Sequence, residues 1–355
     1  AAFTRGSSLV LTKDGLIPIR DLAGKMAEIW NGQMWAPSTF WCSGTKPVYR
    51  MELTNGLVYE GTIDHRIKTV DGDVQLEHAE GSKFNQFLGD GTWVGVEEIT
   101  EFGAQVLGFL QEDGTLHKAT KKMVAHVGAN DSDLRSTFEE MRDGCWKDDK
   151  QIILDPYITE LATEFSVDFR NLPERELPKR LFAQSPRIVR AFLRGLFSAN
   201  GSVILSDTGR IALKSSCKPM VQQVQQLLGA LGYRSYITKN KGHVVEFSNG
   251  SYLCKDSYNL NISGSYARKF GNEIGFIQDY KNEKVKQMKD GTCFTQKSTA
   301  VKSVTYLGVE KVFDFNEPLT HWGWISSLQS HNCAELILPA YDACRLMAIN
   351  TLSFV

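Results

Sequence analysis

A chain of 355 residues with 42% hydrophobic, 23% charged and 10% aromatic residues has a globular composition, which excludes a disordered, collagenous or coiled-coil protein. Its length predicts two or three domains. No run of about 18 apolar residues occurs, so no membrane-spanning helix is expected.

The opening AAFTRGSSLVLTKDG lacks a basic stretch ahead of a long apolar core, and no secretion signal is expected. The seven cysteines (Cys42, Cys145, Cys217, Cys254, Cys293, Cys333 and Cys344) are odd in number and form no CxxC pair. That argues against a disulfide framework and a zinc site, and fits a reducing, cytoplasmic setting in which one thiol is chemically active. The formal net charge of −1 conceals an asymmetry. Residues 104–290 hold 27 Lys plus Arg against 22 Asp plus Glu, while the rest of the chain holds 13 against 19. A basic middle between acidic ends points to an insertion whose partner is nucleic acid.

The first hundred residues read as β structure. LVLTKDGLIPI is two apolar runs around Asp14-Gly15, the hairpin pattern. PVYRMELTNGLVYEGT repeats it around Asn55-Gly56, and a third turn falls at Asp71-Gly72. The middle changes character. QVLGFLQEDGTL and, further on, RIVRAFLRGLFSANGSVI are apolar stretches with small residues, ended by Asp113-Gly114 and Asn200-Gly201. PMVQQVQQLLGALGY has apolar residues at helical spacing and a C-capping glycine at Gly232. From Thr299 the β pattern returns with AVKSVTYLGVEKVFDF. A chain that is β, then α/β, then β predicts one domain interrupted by another. The last 23 residues are too few for a core of their own.

Three short blocks together resemble an intein. AFTRGSSLVLTKDGLIPIRDL resembles the opening block, with Ala2 where the family usually has a nucleophilic Cys or Ser. EGTIDHRIKT resembles the TxxH block and supplies Thr62 and His65; VFDFNEPLTHWGWISS followed by SHNC resembles the closing blocks and supplies Asp314, His321, His331, Asn332 and Cys333. TxxH alone occurs by chance in many proteins; the blocks in this order around a foreign insert are far more specific. The resemblance implies that Thr62 and His65 grip the upstream scissile peptide, with His65 protonating the leaving nitrogen. Cys333 attacks the upstream carbonyl, since thiolate is a good nucleophile. Asn332 then cyclises and cuts the chain before Cys333, assisted by His331 and His321, while Asp314 tunes the thiol. Ala2 departs from the pattern. Either a cysteine was changed to trap a precursor, or the chain belongs to a minority class in which the downstream cysteine attacks the amide directly.

The middle resembles a LAGLIDADG homing endonuclease. Its two signature helices are LGFLQEDG and LRGLFSANG, with Gly108 and Gly195 allowing close packing, and NISGSYARKFGNEIGF resembles the end of such domains. The resemblance implies an acid at each helix end holding Mg²⁺ against DNA phosphate. Asp113 fits; Asn200 offers an oxygen but no charge, so impaired cleavage is expected. Lys239 and Lys241 are weaker candidates to assist. The tail from Cys333, with Ala334 and Glu335, matches the second half of the Asn-x-Cys-x-Glu loop of ribonucleotide reductase, which it resembles.

The expected fold is a mostly β, horseshoe-like Hint splicing domain with an inserted α/β LAGLIDADG endonuclease domain. The expected segments are residue 1 as N-extein, 2–103 and 291–332 as splicing domain, 104–290 as endonuclease and 333–355 as C-extein. Splicing needs no cofactor. The expected partners are the flanking exteins in cis and double-stranded DNA of the uninterrupted host gene, with no membrane and a monomeric chain. The alternatives are a LAGLIDADG DNA-binding or maturase-like module that does not splice, and a secretory autoprocessing domain of the same β fold.

Overall fold

The computed structural model describes residues 3–128, 130–143, 150–206, 209–289 and 297–332. Ala2 and Cys333, with the tail that follows, lie outside the described residues.

The three turn dipeptides form hairpins. Strands Leu9–Thr12 and Gly15–Pro18 pair with Thr12 opposite Gly15, whose φ of +109° is the left-handed conformation the turn requires. Trp35–Leu53 pairs with Val58–Gly61, and Arg66–Lys68 with Asp73–Gln75. The strand Thr299–Asn316 returns from the other end of the chain and pairs antiparallel with Trp35–Leu53 along most of its length, through three register shifts that bend both strands. Leu328–His331 pairs with Ile67, and Trp322–Ile325 with Val10. The first and last segments of the chain are thus woven into one sheet, described with 12 strands. Its core includes Val10, Ile29, Phe40, Tyr59, Phe313, Phe315, Ile325 and Leu328.

Between these segments the two block-bearing helices lie side by side. Glu101–Asp113 is capped by the Thr100 side chain, which accepts from Gly103 N. Pro186–Asn200 is capped by Ser185 and has proline in its first turn. A Cβ at Gly108 would fall 1.9 Å from Phe192 O, and one at Gly195 1.9 Å from Gln105 O, so only glycine permits the approach. Each helix runs into an antiparallel sheet. One consists of strands 114–116, 123–126 and 151–153; the other of 201–204, 210–215, 257–263 and 236–240. The helix Lys218–Leu231 ends at Gly232, with φ of +94°.

The middle and the sheet share a core. Leu11, Leu16, Trp30, Trp93 and Trp324 belong to the same buried cluster as Leu181, Phe192, Leu227 and Leu228. Burying each such side chain contributes roughly 1.5–3 kcal/mol. Removing the middle without replacement would therefore cost the sheet several kcal/mol.

Candidate functional site

The first cluster of chemistry-bearing residues sits where the TxxH turn meets the last strand. Thr62 lies beyond the end of the strand Val58–Gly61. Its Oγ1 accepts from Phe3 N at 3.0 Å, and its N–H donates to Phe3 O at 2.8 Å. Thr62 therefore holds the backbone one residue past Ala2. His65 N–H donates to Thr62 O, closing the turn that aims the imidazole inward. His65 Nε2 lies 2.8 Å from Tyr59 Oη and 2.8 Å from Ser330 Oγ, and Tyr59 Oη lies 2.7 Å from Thr4 Oγ1. The Tyr59 and His65 rings stack with centroids 5.1 Å apart. All four side chains are buried. Burial raises the Tyr59 phenol, so it stays protonated and serves as a hydrogen-bonding hub.

Ser330 is the link to the other end of the chain. It stands two residues before Asn332, on the strand Leu328–His331, so a hydrogen-bonded chain runs from the TxxH turn to the strand that ends at Asn332. Asn332 is buried. Its N–H donates to His321 O at 3.0 Å, and its side-chain Nδ2 donates to Asn316 Oδ1 at 3.1 Å and Glu317 O at 3.2 Å. Glu317 in turn accepts from Leu319 N and Thr320 N, which shapes the loop carrying His321. His321 takes φ of +64°, and Trp322 pairs with His331, their rings meeting edge to face at 4.8 Å. Burial, with Arg66 second, holds the His331 imidazole below its ordinary value, so it is neutral at neutral pH. Asp314 is buried opposite Trp41, and its Oδ1 accepts from Phe315 N.

The structure thus brings Thr62 to Phe3, His65 to Tyr59 and Ser330, and His321, His331 and Asn332 to one hairpin end. Sequence reasoning missed Tyr59, Ser330, Asn316 and Glu317. Tyr59 and Ser330 read as ordinary alternating strand residues, and only the pairing of distant strands reveals them.

The second cluster lies at the paired helix ends. Asn200 Nδ2 donates to Glu112 Oε2 at 2.9 Å. Arg175 donates to Gln111 O and Gly114 O, and Lys281 to Gly201 O and Ser198 O, so one cation takes the terminal carbonyls of each helix. Burial pushes Glu112 up to about 7, with hydrogen bonds from Ser215 and Asn200 pulling partly back. Burial pushes Asp113 up to about 6 against the opposing fields of Lys281 and Arg175. Glu112, Lys281 and Arg175 were missed, because the signature names one acid per helix. Lys239 is exposed and paired with Asp256 at 2.9 Å.

The raised carboxylates set a pH dependence. The folded chain holds protons that the unfolded chain releases near pH 4–5, so stability falls as pH rises from there through 7. Glu112→Gln is expected to remove much of that fall, on the order of 3 kcal/mol. Urea midpoints at pH 5 and pH 8 measure it; an equal pH difference in both proteins refutes it.

Among the described residues no group of three or more His, Cys, Asp and Glu could hold a metal, and no helix is long and apolar enough to cross a membrane. The donor set at the helix ends fits a divalent ion only in part. Asp113 and Glu112 offer carboxyl oxygens from one helix, both shifted by burial toward the protonated form, and Asn200 offers an amide from the other.

A sheet woven from both ends of the chain and interrupted by paired glycine-packed helices is the architecture that the sequence resemblance to an intein with an inserted LAGLIDADG domain implies. Residues 187–275 match the LAGLIDADG-like domain family. The chain is 25% identical over 361 residues to the ribonucleoside-diphosphate reductase large subunit of Invertebrate iridescent virus 6, covering 94% of this chain and 36% of that protein. It is 23% identical over 273 residues to a DNA polymerase of Thermococcus hydrothermalis, covering 72% of this chain and 15% of that protein. It is 24% identical over 262 residues to the replicative DNA helicase DnaB of Rhodothermus marinus, covering 64% and 27%. The chain therefore spans about a third or less of the length of these relatives. Among solved structures, a DnaB intein from Synechocystis sp. PCC 6803 aligns at 11% identity and a TM-score of 0.30, covering 94% of this chain and 99% of that one. The bacterial intein-like domain from Clostridium thermocellum aligns at 25% identity and a TM-score of 0.20, covering 26% and 68%.

Proposed function

We propose that residues 2–332 excise themselves from a ribonucleotide reductase large subunit and join its flanking segments, and that residues 104–290 form a homing endonuclease domain directed at the uninterrupted gene. The observation that carries the splicing reading is the hydrogen-bonded chain from Thr62 and His65 through Ser330 to the strand ending at Asn332. It links the machinery for both junctions, and such positioning can supply about 7–11 kcal/mol of the barrier. The relatives support an inserted element. A reductase, a polymerase and a helicase do unrelated chemistry, yet each is similar to most of this chain over a minor part of its own length.

In this reading, with cysteine at position 2, Thr62 holds the peptide that follows it, the residue-2 thiol takes the upstream acyl group, and His65 delivers a proton to the leaving nitrogen of residue 2. Cys333 then takes the acyl group as a thioester and frees the residue-2 thiol. Asn332 Nδ2 then attacks the Asn332 carbonyl carbon, the peptide to Cys333 breaks, and its nitrogen gains a proton. Asn316 Oδ1 and Glu317 O orient the attacking amide. Neutral His331 accepts the proton that Nδ2 loses. With Ala2 in the first position no acyl group can move onto residue 2, so the chain as it stands is an arrested precursor, and Ala2 replaces a cysteine. Mg²⁺ at the paired helix ends, held by Asp113 with Glu112 and Asn200 beside it, would polarise a DNA phosphate; Asn200 leaves that site one charge short, and cleavage impaired.

The test is the mass of Ala2→Cys in a host carrying longer flanking segments. Release of residues 2–332 together with a ligated flanking product is expected. Ligation by the Ala2 protein itself would replace the arrested precursor with direct attack by Cys333. No processing by Ala2→Cys would leave the reading of a DNA-binding module that does not splice.

A further inference from the structure

The hairpin that presents His321, His331 and Asn332 turns at Ser326-Ser327, and both turn residues have positive φ, +53° and +60°. This is the two-residue turn that matches strand twist, normally built with glycine or asparagine. Serine here costs free energy unless its surroundings hold it. The surroundings include the inserted domain. Ser326 N–H donates to Leu9 O at 2.9 Å, and Phe87 N–H donates to Ser327 O at 2.7 Å. Ser327 Oγ donates to Gln226 Oε1 at 3.2 Å, on the insert helix Lys218–Leu231. One turn further along that helix, Gly229 has no side chain, and a Cβ there would fall 2.7 Å from Ser327 Oγ. Gly229 O also accepts from Gly89 N at 2.9 Å, so the helix cannot slide away without breaking a second contact. Ser327 is fully buried, and Trp324 packs in the core that the insert supplies.

We infer that Gln226 and Gly229 of the inserted domain are positioning residues for the downstream splice junction: the insert helix seats the Ser326-Ser327 turn and so sets where Asn332 stands. The inference rests on the splicing reading proposed above. The strand from Ser327 to Asn332 is about 17 Å long at a strand rise of about 3.3 Å per residue, and it is hydrogen-bonded on both sides. A strand held that way moves as a unit, and a displacement near 1 Å at a reacting pair costs about 10²-fold. The insert is then a structural part of the splicing apparatus at this one place, beyond any action on DNA.

The experiment uses the full chain with Ala2→Cys and reads each junction separately. Thiol-induced cleavage after Ala1 reports the upstream junction, and release of the tail after Asn332 reports the downstream one. Gly229→Ala is expected to slow tail release at least tenfold more than upstream cleavage. Gly229→Ala with Ser327→Gly should restore tail release, because glycine accepts the positive φ and removes Oγ. Gln226→Leu should slow tail release, and Gln226→Glu, which keeps an acceptor, should not. Mere destabilisation would slow both junctions alike and would not be rescued by Ser327→Gly. Equal slowing at both junctions, or no slowing at either, overturns the inference while leaving the splicing reading intact. A parent that processes at neither junction overturns both.

Discussion

Asn332→Ala is expected to abolish release of the tail, and His331→Ala to slow it by about 10²–10⁴-fold. In the proposed reaction nucleophile and scissile carbonyl belong to the same residue, so nothing else in the chain could take over from Asn332. Its side chain is buried and held by two acceptors, Asn316 Oδ1 and Glu317 O, in a geometry that no rotamer of alanine reproduces. In the same reading His331 acts through its protonation state. Burial keeps it neutral, so release should be flat through neutral pH and fall only below the ordinary histidine value of about 6.5, where the imidazole charges and can no longer accept a proton. Upstream cleavage in Ala2→Cys should be unaffected by Asn332→Ala, which separates loss of the nucleophile from misfolding. Time courses by mass spectrometry decide. Unchanged release in both variants would remove these residues from the mechanism.

Asn200→Asp is expected to raise Mg²⁺-dependent cutting of the uninterrupted host sequence by about 100-fold, close to 3 kcal/mol of the charge stabilisation a divalent ion supplies. Asp113→Asn should abolish what cutting exists. The structure adds a cost. Asn200 now donates a hydrogen bond to Glu112, and an aspartate there would face it carboxylate to carboxylate. Without metal the pair must retain a proton, so the variant should melt lower than the parent. Mg²⁺ should recover the loss by mass action, with about 2.7 kcal/mol gained at a hundredfold excess over its dissociation constant. The proposed DNA binding would rest on phosphate contacts and should keep its salt dependence in all three proteins, with a log–log slope near −0.9 per contact. Efficient double-strand cutting by the Asn200 protein would show that Asn200 is not limiting. Absence of binding at low salt would end the DNA assignment.

The sequence by itself determined the hairpins at Asp14-Gly15, Asn55-Gly56 and Asp71-Gly72, because turn chemistry is local: a glycine that must take positive φ is visible in four residues. It pointed to the two glycine-packed helices through the resemblance of LGFLQEDG and LRGLFSANG to the LAGLIDADG signature, which each short stretch carries locally. It also placed Thr62, His65 and Asn332 in short blocks whose order could be read. Three things were decided only by tertiary structure. Tyr59 and Ser330 join His65 because strand 328–331 pairs with strand 66–68 across more than two hundred residues of chain, and no local pattern encodes a partner that distant. Glu112 rather than a second helix-end acid faces Asn200, because helix packing sets which neighbouring carboxylate turns inward. The insert looked separable, since a β–α/β–β succession reads as two cores. Trp324, Leu11 and Gly229 bind it to the sheet woven from both chain ends instead, because burying apolar surface between two folded units is favourable wherever their faces meet, whatever the order of the segments along the chain.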